Sequence, residues 1–357
     1  MKVLVAMSGG VDSSVTAKLL TDKGYDCIGC TMKLYDNASA GISNSHTCCS
    51  LDDVEDARGV AVRLGMPYYV FNFKDGFKKK IIDDFAASYM NGITPNPCIN
   101  CNRYMKFDRL FDRAKILGCD KIATGHYARI EYDGEKYILK KAADPNKDQS
   151  YVLYFMTQYQ LAHTLFPLGD FMKAEVRKIA EDASFSVADK PDSQDICFVP
   201  EGNYAEIIEL HTKKKSIEGK FTDTKGNPLG MHKGIIHYTI GQHRGLGISL
   251  PGKMYVCRTD AKSNTVVLGE ESDLYSRGAV VGDFNWISGQ APKAAVRCKV
   301  RIRYRQPEVS ATAALTDDGR VKIEFDAPVR AVTPGQAAVV YDDDVVLGGG
   351  TILCSIQ

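Results

Sequence analysis

Short apolar runs alternate with amphipathic segments through the first third of the chain. Residues 3–6 form a continuous apolar run, which is typical of a buried parallel strand, and residues 13–20 show helical spacing. Further strands are predicted at 25–33, 67–73 and 121–124, and helices at 51–64, 74–90 and 107–117. This alternation predicts a doubly wound α/β fold, whose ligands bind at the carboxyl ends of the parallel strands.

The pattern changes twice further along the chain. Residues 128–141 predict a hairpin turning at Asp133-Gly134, and helical spacing then continues to about residue 184. Past Pro200 the segments are short and rich in glycine, and from about residue 275 short alternating strands predict a small antiparallel barrel. We therefore predict a doubly wound α/β domain over 1–200, a small central domain over 201–274 and a C-terminal antiparallel β-barrel over 275–357.

A loop rich in glycine and serine follows the first predicted strand. Residues 7–14 read MSGGVDSS and lie where the strand turns into a helix. Paired glycines leave backbone N–H groups uncovered, and a helix N-terminus adds partial positive charge, so the loop predicts a phosphate or pyrophosphate site. The stretch contains no lysine and is not a Walker A motif. A tight turn that needs glycine only for its backbone is the alternative.

Composition limits the class of protein. The 357 residues carry 45 Lys and Arg against 44 Asp and Glu, so any nucleic-acid contact must come from local basic patches. The chain enters a predicted strand at once and has no apolar run of membrane-spanning length, so we expect no membrane partner and a cytoplasmic location. Eleven cysteines in a reducing compartment are thiols, metal ligands or catalysts.

One predicted strand is strongly basic. From Arg297 to Arg305 every second residue is Lys or Arg, which places five positive charges on one face. Such a face suits a phosphate backbone, although a solvated outer barrel face is the alternative.

The cysteines fall into two groups. Cys27 and Cys30 lie in a predicted strand, where residues three apart point to opposite faces, so they are predicted core thiols and not half of a zinc site. Cys98, Cys101 and Cys197 lie in predicted loops near the ligand side of the sheet, where nucleophilic or redox work is expected. Cys48 and Cys49 lie in a polar loop and have no assigned role.

Motifs spread over nearly the whole chain resemble those of the tRNA-specific 2-thiouridylase family. The glycine-serine loop resembles the pyrophosphatase loop of the N-type ATP pyrophosphatases (PP-loop superfamily), whose adenine nucleotide alpha hydrolase-like domain adenylates a substrate. The other motifs are at 94–107 (TPNPCINCNRYMKF), 124–127 (TGHY), 147–151 (KDQSY), 193–198 (SQDICF), 238–242 (YTIGQ) and 303–306 (RYRQ). The resemblance implies a sulfurtransferase that replaces the 2-oxygen of the tRNA wobble uridine with sulfur.

The resemblance also implies a role for each matching position. ATP would be bound by Ala6, Met7, Ser8, Gly9, Gly10, Val11, Asp12, Ser13, Met32 and Gly125, with Mg²⁺ accompanying the phosphates. The target base would be lined by Asn96, Pro97 and Cys98. The tRNA would be contacted by His126, Lys147, Asp148, Gln149, Arg303, Tyr304 and Gln336. The catalytic residues would be Cys101 and Cys197, the latter carrying a persulfide received from a cysteine desulfurase or relay protein.

Cys98 departs from the family pattern, in which many members have aspartate after Asn-Pro. The change gives three cysteines, Cys98, Cys101 and Cys197, that could converge. Three thiolates can hold an iron–sulfur cluster with one open iron, so a cluster-dependent thiolase is an alternative to the persulfide route.

Two further alternatives belong to other classes. A small-molecule adenylating synthetase of the same fold would explain the residue 7–14 loop but neither the cysteines nor the basic strand. A nucleotide-gated RNA-binding protein would release no pyrophosphate. The stretch 247–254 nearly matches a Walker A motif but lacks its Ser/Thr and its strand-helix context.

Overall fold

A parallel sheet forms the core of the N-terminal part. The structure, a computed structural model, describes residues 1–35, 51–191, 196–199, 203–250 and 252–357. The first seven strands are β1 (Lys2–Ala6), β2 (Asp26–Lys33), β3 (Tyr68–Asn72), β4 (Lys121–Ala123), β5 (Arg129–Tyr132), β6 (Tyr137–Lys140) and β7 (Thr164–Leu165). Five of them pair in parallel in the order β3-β2-β1-β4-β7. The predicted doubly wound sheet is confirmed.

Helices cover both faces of this sheet. The side chains of β1 are apolar on both faces and alternate between two apolar clusters, so each face needs a covering layer. The helices are α1 (Val11–Asp22), α2 (Leu51–Arg63), α3 (Lys74–Phe77), α4 (Asp83–Met90), α5 (Pro97–Asn100), α6 (Leu110–Ile116), α7 (Gln158–Ala162), α8 (Lys173–Asp182) and α9 (Tyr204–Thr212). Two π-helical segments, Lys78–Ile82 and Cys101–Arg109, join α3 to α4 and α5 to α6. Such wide turns are rare and frequently mark functional sites.

The two cysteines of β2 confirm the argument from strand periodicity. Cys27 packs in the cluster that contains Val3 and Val5, whereas Cys30 packs on the opposite face with Leu4. Both thiols are buried, and burial raises the pKa of each above its usual value. They are core residues.

The central part is a four-stranded sheet. It contains β8 (Gly219–Thr222), β9 (Pro228–His232), β10 (Tyr255–Asp260) and β11 (Thr265–Gly269). The order is β10-β11-β8-β9, and only the β11–β8 pair is parallel.

Short 3₁₀ turns lie at three places along the described chain, Ser150–Leu153, Ile235–His237 and Glu271–Leu274.

The C-terminal part is a closed antiparallel barrel, as predicted. Its strands are β12 (Tyr275–Trp286), β13 (Val296–Arg301), β14 (Val309–Leu315), β15 (Val321–Arg330), β16 (Ala337–Asp342) and β17 (Val345–Ile356). They follow the order β12-β15-β14-β13-β16-β17, and pairing of β12 with β17 closes the barrel.

The hairpin of β5 and β6 belongs to this barrel sheet and not to the parallel sheet. Its turn follows Tyr132, as predicted, but β6 pairs with β17 through Lys140 and Val345. Arg129 reinforces the junction with an ion pair to Asp344 at 2.9 Å. This hairpin, although it lies in the N-terminal part of the chain, is therefore joined to the barrel through backbone pairing as well as side chains.

No helix in the described ranges is long and apolar enough to cross a membrane.

Candidate active site

The glycine-serine loop runs from the carboxyl end of β1 into α1, as predicted. Met7 N–H donates to the Cys30 carbonyl at 2.7 Å, which fixes the loop to β2. Gly9 has φ +75°, and a Cβ there would lie 2.2 Å from the Asp53 carbonyl oxygen, so only glycine fits. Gly10 precedes α1 without a side-chain cap. The first N–H groups of α1 are thus available to an anion.

Serine hydroxyls hold the shape of this loop. Ser13 Oγ donates to the Gly10 carbonyl at 3.1 Å and accepts the Ser8 N–H at 3.1 Å. Ser14 Oγ donates to the same Gly10 carbonyl at 2.9 Å. Ser13 and Ser14 are buried whereas Ser8 is exposed. Ser8 is therefore the hydroxyl that an incoming phosphate meets first.

Asp12 connects this loop to two distant parts of the chain. Its carboxylate accepts hydrogen bonds from Tyr127 Oη at 2.7 Å and from Lys173 Nζ at 2.8 and 2.9 Å. Lys173 is the first residue of α8 and is 9% exposed. A cation at the positive end of a helix dipole is unfavourable unless an anion faces it, and Asp12 supplies that anion.

A second lysine reaches the loop from the other side. Lys190 Nζ donates to the Gly9 carbonyl at 3.1 Å and forms ion pairs with Asp53 and Asp56 at 2.9 and 2.5 Å. Two lysines from distant parts of the chain therefore lie beside a loop that itself contains no lysine. Lys173 and Lys190 are more than 150 residues away in sequence, so local spacing could not reveal them. The helical spacing predicted up to about residue 184 includes Lys173 but does not indicate that this lysine faces Asp12.

We expect Lys173→Met to lower the free energy of unfolding by about 2 kcal/mol, because it leaves a partly buried carboxylate short of its cation. The value is below that of a fully buried pair because the Asp12 side chain is 33% exposed. Urea denaturation measures it. Lys178→Met on the same helix is the control, since Lys178 is 73% exposed and its removal should change little. Equal losses in the two variants would contradict the ion-pair explanation.

Gly125 and His126 follow β4 and lie next to the start of α1. A Cβ at Gly125 would lie 3.1 Å from the Ser13 backbone nitrogen, so this loop packs directly on the start of α1. His126 is 5% exposed, and its Nδ1 lies 2.6 Å from Thr124 Oγ1. Burial, together with the nearby charge of Lys106, lowers the pKa of His126 well below its usual value. The imidazole is therefore neutral at pH 7.

This burial predicts acid sensitivity. The unfolded chain binds a proton at His126 below about pH 6.5, whereas the folded chain does not, so stability falls as pH falls through that value. In His126→Gln, we expect the loss of unfolding free energy between pH 7 and pH 5 to be about 2 kcal/mol smaller than in the unmodified chain. Denaturant titrations at several pH values test this, with the exposed His243→Gln as control. An unchanged slope in His126→Gln would contradict it.

The cysteines near 100 lie on a helix, which corrects the prediction that they lie in a loop. Cys98 is in α5 and is exposed, and Cys101 begins the π-helical segment and is partly buried. Pro97 occupies the first helical turn, where proline needs no N–H partner, and this explains why a proline-rich stretch starts a helix. Asn102 is buried and donates to the Val152 carbonyl at 3.2 Å, which fixes the segment.

Cys197 lies in a turn, as predicted. Its backbone carbonyl accepts a hydrogen bond from Tyr35 Oη at 2.5 Å. Tyr35 lies two residues after the end of β2. The neighbouring Phe198 is buried against Phe77 and Phe85 in edge-on contacts. Residues 193–195 of the same motif, and Cys48 and Cys49, lie outside the described residues.

The structure gives the iron–sulfur alternative no support. Among the described residues, no three side chains of His, Cys, Asp or Glu are grouped closely enough to hold a metal ion. Cys98, Cys101 and Cys197 are all described, so the convergence expected from the sequence is not formed.

The barrel holds the loop predicted to line the target base. Gln336 Nε2 donates to the Thr94 and Pro95 carbonyls at 2.9 and 3.2 Å, and Thr94 N–H donates to the Pro334 carbonyl. Asn96 is half-buried and Pro97 is buried. Gln336 thus bonds to the chain just before Asn96.

The basic strand differs from its prediction. It ends at Arg301 as β13, and two of its charges are paired with carboxylates within the protein. Arg297 pairs with Asp326, while Arg301 pairs with Asp148 at 3.2 Å and Glu308 at 2.9 Å. Carboxylates from other elements thus pair with two of the five basic residues, and the strand ends before Arg303 and Arg305, so a single face of five like charges is not formed.

Asp148 and Gln149 lie in this interior network. Asp148 is 6% exposed and accepts hydrogen bonds from the backbone N–H groups of Ala142 and Ser150. Gln149 pairs with Tyr127 through both backbone and side chain, at 2.8 and 3.0 Å. Asp148 and Gln149 are adjacent in sequence, so hydrogen bonds link this segment to Arg301 on one side and, through Tyr127, to Asp12 on the other.

Arg303 and Tyr304 lie past the end of β13. Arg303 Nη2 donates to the Ile240 carbonyl at 3.0 Å and to Thr333 Oγ1 at 2.5 Å, so it joins the central part to the barrel. Its burial lowers the pKa of the guanidinium. Tyr304 is 38% exposed, and its partial burial, followed by the negative charge of Asp148, raises the pKa of its hydroxyl. Cys98 lies close enough for a thiolate there to raise it further.

Three sequence models of protein families match consecutive parts of the chain. They are described as the tRNA methyl transferase HUP domain (residues 1–201), the tRNA methyl transferase PRC-barrel domain (residues 206–270) and the aminomethyltransferase beta-barrel domain (residues 276–352). Among solved structures, a 4-thiouridine synthetase–RNA complex with bound ATP covers 59% of this chain and 50% of its own at 17% identity and TM-score 0.34.

Curated relatives match over almost the full length. The tRNA-specific 2-thiouridylase MnmA of Acetivibrio thermocellus is 51% identical, and the match covers 98% of this chain and 99% of the relative. The enzyme of the same name from Clostridioides difficile is 49% identical, with 98% of each chain covered. At this identity and coverage, the chain belongs to the tRNA-specific 2-thiouridylase MnmA family.

Proposed function

We propose that this protein is a tRNA-uridine 2-sulfurtransferase that consumes ATP, releases AMP and pyrophosphate, and thiolates the wobble uridine in the cytoplasm. The observation that carries the proposal is the meeting of three elements at one end of the parallel sheet. The residue 7–14 loop, the Gly125–His126 turn and the helix of Cys101 are connected there by contacts of Ser13, His126 and Lys106. The names and identities of the full-length relatives support the substrate and the reaction.

Adenylation is the first step, because the 2-oxygen of uracil is a poor leaving group. The oxygen attacks the α-phosphorus of ATP, a new O–P bond forms, the bond to pyrophosphate breaks and the N3 proton passes to solvent. The N–H groups at the start of α1 and the exposed Ser8 hydroxyl would hold the departing pyrophosphate. Met32 and Gly125, both half-buried at strand ends, would contact the nucleoside.

Mg²⁺ enters with ATP as its phosphate complex. It commonly binds through one or two carboxylates, water and phosphate oxygens, so Asp12 fits that role at the loop. When bound, the ion neutralises phosphate charge. Lys173 and Tyr127 hold the Asp12 carboxylate in a fixed orientation at the start of α1.

Sulfur transfer follows at the cysteines. The terminal sulfur of a Cys197 persulfide attacks C2, AMP leaves, and Cys197 is joined to the base through a disulfide. The Cys101 thiolate then attacks the Cys197 sulfur, releases the thiolated uridine and leaves a Cys101–Cys197 disulfide for a thiol reductant to reset. A persulfide donor of the cysteine desulfurase or relay class reloads Cys197.

Contacts with tRNA would divide between direct and indirect ones. Lys147 and the exposed Tyr304 would touch the nucleic acid, and Asn96, Pro97 and Cys98 would surround the extruded base. His126, Asp148, Gln149, Arg303 and Gln336 are tied into interior hydrogen bonds, so their effect on tRNA binding would come through the segments that they hold.

Mass spectrometry of tRNA tests the proposal. The protein is incubated with ATP, a persulfide donor and unmodified tRNA, and the nucleosides are analysed after digestion. We expect one oxygen replaced by sulfur at the wobble uridine and stoichiometric pyrophosphate. A tRNA whose wobble uridine is replaced by cytidine is the matched control. Pyrophosphate release that depends on a small molecule instead of tRNA would favour a small-molecule synthetase, and no release at all would favour a non-enzymatic RNA-binding protein.

A further inference from the structure

Lys106 is a half-buried cation that no carboxylate faces among the described residues. It lies on the π-helical segment five residues after Cys101. Within the described residues, its one polar contact is with His126, where Nζ lies 3.4 Å from Nε2. By contrast, Lys173, Lys190 and Arg301 each face carboxylates.

The neutral state of His126 determines how many hydrogen-bond donors of Lys106 remain available. Because Nε2 faces an ammonium, it accepts the hydrogen bond, and Nδ1 carries the proton and donates to Thr124 Oγ1. Lys106 uses one of its three N–H donors there. The rest of the described chain uses neither the other two donors nor the positive charge, which are left for a ligand. Removal of an ammonium from water is unfavourable until an anion balances it.

The position of Lys106 indicates which anion. His126 follows Gly125, whose Cα packs on the start of α1, so the ammonium lies between the phosphate-binding loop and the helix of Cys101. The β- and γ-phosphates are assigned to the loop itself. The phosphate that lies nearer the cysteines, and that becomes attached to the base, is the α-phosphate.

We propose that Lys106 binds the α-phosphate of ATP and of the adenylated uridine. This inference rests on the proposed function. Lys106 would offset the negative charge that builds on the α-phosphate oxygens as the uracil oxygen attacks, and it would stay bound to AMP as AMP leaves. None of the motif assignments above gives Lys106 a role.

Equilibrium binding of AMP and adenosine tests the contact without requiring any reaction. AMP differs from adenosine only by the α-phosphate. We expect Lys106→Gln to weaken AMP binding about tenfold, because a charge-assisted hydrogen bond is lost, and to leave adenosine binding unchanged. Lys106→Arg should keep AMP affinity within about threefold. Lys79→Gln, an exposed lysine on the neighbouring π-helical segment, is the control.

The outcomes separate this inference from the proposed function. A selective loss of AMP affinity in Lys106→Gln supports the contact even if the protein thiolates no tRNA. Equal losses for AMP and adenosine, or no loss for either, would overturn it. If the protein is active, Lys106→Gln should also slow tRNA-dependent pyrophosphate release about 10²-fold, with Lys106→Arg restoring most of the rate.

Discussion

Replacing Cys101 by serine should slow the formation of thiolated tRNA at least about 10³-fold in a single turnover without external thiol, while tRNA-dependent pyrophosphate release persists. The serine hydroxyl cannot attack the Cys197 sulfur, so the reaction should stop with Cys197 joined to the base by a disulfide. We therefore expect a covalent protein–tRNA adduct on a non-reducing gel. Mass spectrometry of the adduct should locate the linkage at Cys197.

Adding a reductant distinguishes the roles of Cys101 and Cys197. Dithiothreitol can cleave the trapped disulfide in place of Cys101, so it should release thiolated uridine from Cys101→Ser. It should not rescue Cys197→Ser, which forms no adduct. Cys354→Ser is the matched control, because Cys354 is an exposed cysteine on β17, and it should behave like the unmodified chain. If Cys101→Ser released as much thiolated uridine in a single turnover without reductant as the unmodified chain does, the two-cysteine mechanism would be contradicted.

The same assay can distinguish the role of Cys98 from the roles of Cys101 and Cys197. It is exposed on α5 and lies near Tyr304, and the metal alternative that would have joined it to the other cysteines has no support in the described residues. Its proposed place is beside the target base. Cys98→Ser should therefore change the tRNA concentration needed for half-maximal rate. It should have a smaller effect on the amount of protein–tRNA adduct that accumulates when it is combined with Cys101→Ser.

The sequence allowed those parts of the structure to be predicted that depend on local periodicity. The buried strand at residues 3–6 follows from its continuous apolar run. The opposite faces of Cys27 and Cys30 and the alternation of β13 follow from a period of two. The glycine-serine loop could be located because it joins a recognisable strand to a recognisable helix. In each case the residues that decide the outcome are neighbours in sequence.

The parts that could not be predicted depend on partners far away in the chain. Nothing near Asp12 indicates that Lys173 faces it, and nothing near Arg301 indicates that Asp148 neutralises it. The hairpin at β5 and β6 was recognisable, but its pairing with β17 was not. Cys101 was misplaced because a proline-rich stretch was interpreted as a loop, although proline is well tolerated in a first helical turn.

Replacement of Gly9 by alanine should abolish ATP binding and lower the free energy of unfolding by about 3 kcal/mol. Two separate effects contribute. A left-handed φ of +75° costs a residue with a Cβ about 1–2 kcal/mol, and the new methyl would lie 2.2 Å from the Asp53 carbonyl oxygen. Backbone atoms cannot move aside as a flexible side chain can, so the loop itself must shift, and the N–H groups presented to phosphate shift with it.

Gly24→Ala separates strain from collision. Gly24 follows the other end of α1 with φ +77°, and a Cβ there would meet no atom within 4 Å. It should therefore show the backbone cost alone, about 1–2 kcal/mol, with normal ATP affinity. Urea denaturation and ATP titration of both variants provide the comparison. If Gly9→Ala lost no more stability than Gly24→Ala and still bound ATP, the contact with Asp53 would not determine the shape of the loop, and the phosphate assignment would lose its geometric basis.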